Sequence, residues 1–442
     1  ITLKLKAEGE GIDLFSGDTR YNVELGIDTV SYDKYKLNDI ALTASQENHL
    51  SDIEIKSNAE YLKFLIKART TLDSTFVSNS TEIELPKADF MMLRLTDAEL
   101  GAALNLKLEA STDMKEKHAV KLSGREMKLI TAQRTFTPAD IEIDLSTSPQ
   151  YSYIKASNGD LNIDGEMACG YNGLFAALEK AGQMYMEARH CDSTLYYLHD
   201  YEKELPEMKF KFKCGQNNML HSFLAMNDMQ TQNMSLTLQL DTIKGVDMSG
   251  GVYGFRTGTL NLDTIRAFPR QDGNKIRYLA SIRSTAIDPE QQKQTFNAML
   301  YGNIFNDSLT TNFMFRDKKE GVGIKFGFKT QLMPEGLHIN FLPDAILLGN
   351  RFKFSDDNHI NIGKGFSVDA NVMLSDSDNA GMHIYTNPDP AANYNANLDL
   401  FNVDLGEVTS LLPFVPEIDG TLNMNLFFRQ SSENMLISGD AQ

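Results

Sequence analysis

The residues able to do covalent or metal chemistry are few and scattered. His190 and Cys191 are the one adjacent pair of soft metal ligands in the 442 residues. A zinc site needs two further ligands, and no spacing in the chain designates them, so the pair reads as the exposed end of a helix. Asp356–Asp357 and the pair Asp376 and Asp378 have the charge for calcium. They lack the glycine-spaced loop and bidentate glutamate of a calcium site and read as solvated turns. His49, His118, His221, His338, His359 and His383 stand singly. No nucleophile elbow, zinc-protease helix or phosphate loop occurs, and the G-x-G fragments at 321–323 and 363–365 read as strand-edge turns. We therefore expect no enzyme, no cofactor and no metal.

What the spacing does support is the binding of something apolar. Hydrophobic residues make up 42% of the chain, enough for a folded core. They include 20 methionines and 25 phenylalanines but no tryptophan. Methionine fills gaps in a packed core and equally lines a surface that must accept variable acyl chains. Acidic residues number 60 against 42 basic ones, a net charge of −18. No Lys/Arg cluster exceeds the local groupings Lys115–Lys117 and Lys318–Lys319. That argues against nucleic acid and against an anionic membrane surface. Cys169, Cys191 and Cys214 are too few for a disulfide framework and read as small buried hydrophobes. No apolar run approaches the ~18–20 residues of a membrane span, Ala345–Leu348 being typical. Ile1 falls inside an alternating segment and Gln442 follows another, so the chain reads as a piece of a longer protein.

Two-residue alternation recurs from end to end. Leu104, Leu106 and Leu108 alternate with Asn105, Lys107 and Glu109, and Phe210 and Phe212 with Lys209, Lys211 and Lys213. Leu236 and Leu238 continue the pattern, as do Val322, Ile324, Phe326 and Phe328 around Lys325. These segments, separated by turn signals at 16–18, 157–160, 249–251, 271–274 and 376–379, predict some two dozen antiparallel strands, each with one wet face. One helix interrupts over 172–190, with Asn172 as N-cap and a stripe of Leu174, Leu178, Ala181, Tyr185 and Ala188. Asp97–Leu104 reads as a second, weaker helical turn. The domain plan is then a β segment over 1–168, a helical insertion over 169–206, and a β segment over 207–442 that ends within a domain.

The stretch 397–428, NLDLFNVDLGEVTSLLPFVPEIDGTLNMNLFF, condenses the plan. A strand leads to a short helix near 406–412, stopped by Pro413 and Pro416. After Gly420 a strand returns with Leu422, Met424, Leu426 and Phe428 on one face and Thr421, Asn423 and Asn425 on the other.

With this stretch, the amphipathic strands and LHINFLPDAILLGNRFKF at 337–354, the chain resembles the TamB family of translocation and assembly module subunits. That family sits in the AsmA-like group related to bridge-like lipid transfer proteins, and the likeness is to its long Bacteroidota-type form. The family's inner-membrane anchor and last domain have no counterpart here. The resemblance implies an elongated, taco-shaped β-groove lined by apolar side chains. It further implies a periplasmic place in the cell envelope, with the full-length protein anchored in the inner membrane. Phospholipid acyl chains are the implied cargo, with an outer-membrane β-barrel of the Omp85 type as partner and a part in outer-membrane protein assembly and secretion. Independently, a long meander with one apolar face must curl to hide it, and a curl left open is a trough. Its expected lining is Leu104, Leu106, Leu108, Phe210, Phe212, Leu236, Leu238, Val322, Ile324, Phe326, Phe328, Leu422, Met424 and Leu426. The competing expectation is a structural or adhesive β-solenoid or sandwich with a packed, dry core.

Overall fold

The computed structural model describes residues 2–442 apart from 33–34, 191–202, 259, 286–294, 306–307, 317–320, 334–335, 348, 364–366, 388–393, 411–417 and 431–433. The fold is dominated by antiparallel strands in meander order, and the chain divides into two units. The first comprises Ile1–Glu179 and Leu205–Asp241, the second Lys180–Glu204 and Thr242–Gln442.

The first unit begins with β1 (Thr2–Glu10), β2 (Arg20–Tyr32), β3 (Tyr35–Glu47), β4 (Leu50–Ala59), β5 (Leu62–Leu72), β6 (Val77–Asp89) and β7 (Leu100–Thr112). It continues through β8 (His118–Thr131), β9 (Thr135–Phe136), β10 (Ile141–Thr147), β11 (Ser152–Asn158), β12 (Leu161–Met167), β13 (Met208–Cys214) and β14 (Asn233–Asp241). Each long strand pairs with the next, β9 being a short return on β8 after which β10 takes β8's other end. Among the strands that carry an extra residue are β6 and β8. The register slips around Pro86–Lys87 in β6 and at Glu126 in β8, where φ is 54°. A bulge shifts the alternation by one. Leu122 and Gly124 therefore hand the same face to Met127 and Leu129, and Leu85 hands it to Ala88. The extra residue keeps the apolar set together rather than turning it outward.

Helix α1 (Tyr171–His190) follows β12, one residue earlier than expected. Asn172 lies inside the first turn and donates to Glu116 Oε1, while Leu174 N reaches Gly170 O. The half-buried side of the stripe is Leu174, Ala177, Ala181 and Met184, and Leu178 is instead 49% exposed. Position 178 sits about 40° round the helix from 174, enough to leave the contact. The weaker turn expected at Asp97–Leu104 is absent: β7 starts at Leu100, where Leu104 opposes Leu85. A helix the alternation did not announce, α2 (Met219–Met226), follows β13. Asn218 caps it by accepting from His221 N at 2.8 Å. Asp160, in the β11–β12 turn, binds the same corner. Its carboxylate accepts from Gln216 N, Asn217 N and Asn218 Nδ2 at 2.6–3.1 Å.

The second unit holds β15 (Gly245–Arg256), β16 (Asn261–Ala267), β17 (Arg270–Asp272), β18 (Lys275–Ser284), β19 (Phe296–Phe305), β20 (Ser308–Arg316), β21 (Val322–Met333) and β22 (Gly336–Phe341). After these come β23 (Asp344–Leu347), β24 (Asn350–Phe354), β25 (His359–Gly363), β26 (Val368–Ser375), β27 (Gly381–Tyr385) and β28 (Tyr394–Asp404). Helix α3 (Leu405–Ser410), β29 (Thr421–Gln430) and β30 (Met435–Ala441) close it. Residues 411–412 of the helix expected near 406–412 lie outside the described residues, as do Pro413, Pro416 and Cys191. The turn expected at 249–251 is strand instead. Gly251 lies in β15, and a Cβ there would meet the Tyr253 ring at 2.9 Å, so the glycine admits the ring rather than a reversal.

Three pairs of these pieces are the halves of broken strands. β16 and β17 part at Pro269, and β22 and β23 at Pro343, where proline cannot donate to the ladder. β24 and β25 part at 355–358, beside the second break. Asn358 fills both of these adjoining gaps. It is 4% exposed; its Oδ1 accepts from Phe341 N at 2.6 Å, and its Nδ2 donates to Ser355 O and Phe341 O. One amide replaces the ladder bonds that the two breaks remove.

These local knots can be tested singly. Asn358→Ala strands at least two buried backbone groups, and urea unfolding is expected to report a loss of about 2–4 kcal/mol, at roughly 1–3 per group before relaxation. Asn358→Asp keeps the acceptor and should lose less. For Asp160, burial raises the carboxyl's affinity for a proton, but the Asn218 amide and the Asn217 and Gln216 N–H groups outweigh it and hold the pKa below the ordinary value. A depressed folded pKa means stability that is present above the unfolded pKa of about 3.9 and lost as pH falls through the folded one. The gap in Tm between the wild type and Asp160→Asn should thus be full at pH ~6 and close towards pH ~2. A constant gap refutes the assignment.

Candidate functional site

In-register pairing turns alternation along each strand into rows across many strands. In the first unit, Leu5, Leu25, Leu42, Ile55 and Ile66 oppose one another in succession from β1 to β5. Ile83, Leu106, Gly124 and Ile141 carry the row on to β10. A neighbouring row runs Leu108, Leu122, Ile143, Ala156, Ile163, Phe212 and Leu236, ending at β14. Phe210 opposes Leu238 on the same face. The reverse face alternates in sign: Glu109, Lys121, Asp144, Lys155, Asp164 and Lys211 are successive partners. Opposite charges directly across strands contribute roughly 0.2–1 kcal/mol each. A slip of one residue would put lysines among the leucines.

All fourteen expected lining residues are half-buried, and thirteen of them lie on these apolar faces. Lys107, Lys209, Lys211, Lys213 and Lys325 are exposed on the other side. Val322 is the exception: the extra residue at Gly323 shifts the register and sets it opposite Arg316, on the polar face. Phe326 and Ile324 continue rows through Phe313 and Phe315, and Phe328 opposes Phe341. Leu426 belongs to the row Val372, Ile384, Leu398, Leu426, and Met424 to the row Leu374, Met382, Leu400, Met424. Leu422 opposes Val403 beyond a bulge in β28. The fourteen do not converge on one point; they are distributed along the strands of both units.

Half-burial is the decisive property. The chain exposes 27,393 Å², against about 20,000 Å² for two globules of half its mass. Among the described residues, one cluster of buried hydrophobics forms a packed core: Ala345, Phe354, Val372 and Leu374 in the second unit. Phe326, Phe341, Leu347 and Ile384 pack against it. The described rows of the first unit form no such cluster; their members are half-buried rather than closed in.

Among the described residues no three His, Cys, Asp or Glu side chains are placed to hold a metal ion. Cys169 and Cys214 carry free thiols, both pushed above the usual thiol range by burial. His338, His359 and His383 meet Asn361, Asp369 and Asn371 on the polar face, a network the sequence did not suggest because its members lie on four strands. Two depressions, at β1–β4 and β7–β12, lie among charged side chains of the polar face. No family model, no curated protein and no solved structure matches the chain.

The contrast between the two apolar faces is measurable. Phe326→Asp places a carboxylate against the packed cluster and is expected to cost ~3–5 kcal/mol. Phe212→Asp, on a face outside that cluster, should cost only ~1–2 kcal/mol, the lost burial of a half-buried ring. Equal costs by denaturant unfolding would mean that β13 is covered like β21.

Proposed function

We propose that the apolar faces bind phospholipid acyl chains and carry them between membranes of a cell envelope. The observation supporting this is the unbroken apolar row running from β7 through β14, half-buried and outside any closed hydrophobic cluster among the described residues. An acyl chain laid across it saves ~0.8 kcal/mol for each methylene withdrawn from water, while the headgroup stays in solvent. The residue types suit that use: Leu, Ile, Met and Phe tolerate variable chain shapes and impose no hydrogen-bonding geometry. The resemblance to the TamB family extends the proposal to a periplasmic bridge, anchored elsewhere in the inner membrane and meeting an outer-membrane β-barrel. In this reading the protein is not an enzyme and needs no cofactor. No helix among the described residues is long and apolar enough to cross a membrane.

The packed cluster at Phe354 and Leu374 favours a second reading for part of the second unit, a scaffold whose interior is dry. One experiment separates the two. A photo-crosslinking amino acid at position 212 in the chain expressed in a bacterial envelope is expected to capture phospholipid, and position 354 is expected to capture only protein. Solvent extraction followed by mass spectrometry identifies the adduct. Capture of protein neighbours alone at 212 sinks the conduit and leaves the scaffold.

A further inference from the structure

The polar face of the second unit is divided by charge. On β16–β24 the charged side chains facing away from the apolar rows are mostly basic. Arg266, Ser281, Met299, Met314 and Lys325 are successive partners, and the row continues through Ile346 to Arg351. Arg283 and Arg316 lie in the adjacent row, two strands apart. Arg266, Arg283, Lys325 and Arg351 are exposed, and none has a carboxylate within ion-pair distance among the described residues. Arg277, Lys329 and Lys353 flank the track on the same face, with Asp344 and Asp272 as the nearby acids. On β25–β30 the sign reverses. Asp369, Asp399, Asp404 and Asp440 occupy the same face, Asp357 borders it, and Arg429 is the one strand-borne cation there among the described residues.

We propose that this face is a self-association surface, on which the basic half of one copy meets the acidic half of a second copy related by a two-fold axis. The two halves lie side by side in one unit, so rotation about an axis between them brings plus onto minus twice. That is the self-complementarity an isologous contact requires. At ~4.8 Å per strand the basic half is about 29 Å wide and the acidic half about 24 Å. Both exceed the ~8 Å Debye length at physiological salt, so each half acts by its own sign rather than by the net charge of the chain. Together they offer on the order of 1,400 Å², more than the ~800 Å² per partner of a standard interface. A second copy is favoured over an anionic bilayer because a bilayer would match the basic half only and repel the acidic half.

The test is sedimentation velocity on the 442-residue chain at neutral pH and micromolar concentration. A dimer is expected at about 50 mM salt and a monomer at about 500 mM. Arg266→Glu with Arg283→Glu and Lys325→Glu should be monomeric at low salt, and so should Asp399→Lys with Asp440→Lys. Mixing the two variants should restore a one-to-one dimer, because each now carries a uniform face opposite in sign to the other. Hetero-pairing also shows that both variants are folded, and the salt series on the wild type decides independently if either is not. A wild-type monomer at low salt, a dimer indifferent to the reversals, or no pairing in the mixture overturns the proposal. So does binding of a monomeric wild type to vesicles containing phosphatidylglycerol but not to pure phosphatidylcholine, which would assign the basic half to a membrane.

Discussion

The register of antiparallel pairing is the constraint on which everything else in this protein rests. A strand's alternation sorts its own side chains between two faces, but only cross-strand pairing decides which residues become neighbours. Here the register holds Leu5 opposite Leu25 and, many strands later, Phe212 opposite Leu236. The cost of slipping is high because the charged rows are as ordered as the apolar ones. Glu109 opposite Lys121 and Asp164 opposite Lys211 would each be exchanged for a mismatch.

Holding register over so many strands requires places where strain is absorbed. The bulges at Pro86–Lys87, at Glu126 and at Phe401–Asn402 serve that purpose, each re-phasing a strand so that its next apolar residue returns to the common face. The proline breaks do the same more coarsely. Where two breaks fall side by side, a buried amide at Asn358 takes over the lost hydrogen bonds, and the packed cluster includes Phe354, just before it in the chain. Packing density and ladder irregularity thus coincide in the second unit. In the first, no such cluster forms among the described residues.

This distribution bears on function through the cost of exposure. A half-exposed leucine or phenylalanine gives up part of the ~1.5–3 kcal/mol that full burial would return. Over many such residues the cost adds up, and anything that covers the face reduces it. Lipid tails are one covering, and they need no specific contacts. The polar face contributes solubility and, in the second unit, a charge division that apolar patterning neither requires nor disturbs.

Alternation with a period of two is a local property, visible wherever a leucine and a lysine take turns. The strands around Leu106, Phe212 and Met424, the facing of Lys211 and Lys325, and helix α1 were accordingly legible in the amino-acid order alone. What required the folded chain is everything set by partners distant in sequence. α2 escaped notice because Met219–Met226 spans two turns and its cap, Asn218, is held by Asp160, some sixty residues earlier. Ser249–Gly251 carried a turn signal, yet a neighbouring ring and the ladder to β16 made it strand. Half-burial in one unit and a packed cluster in the other differ by long-range contacts that alternating patterns do not encode. The basic track was invisible for the same reason: Arg266, Arg283, Lys325 and Arg351 are isolated along the chain, and only pairing between strands places like charges on one face of the sheet.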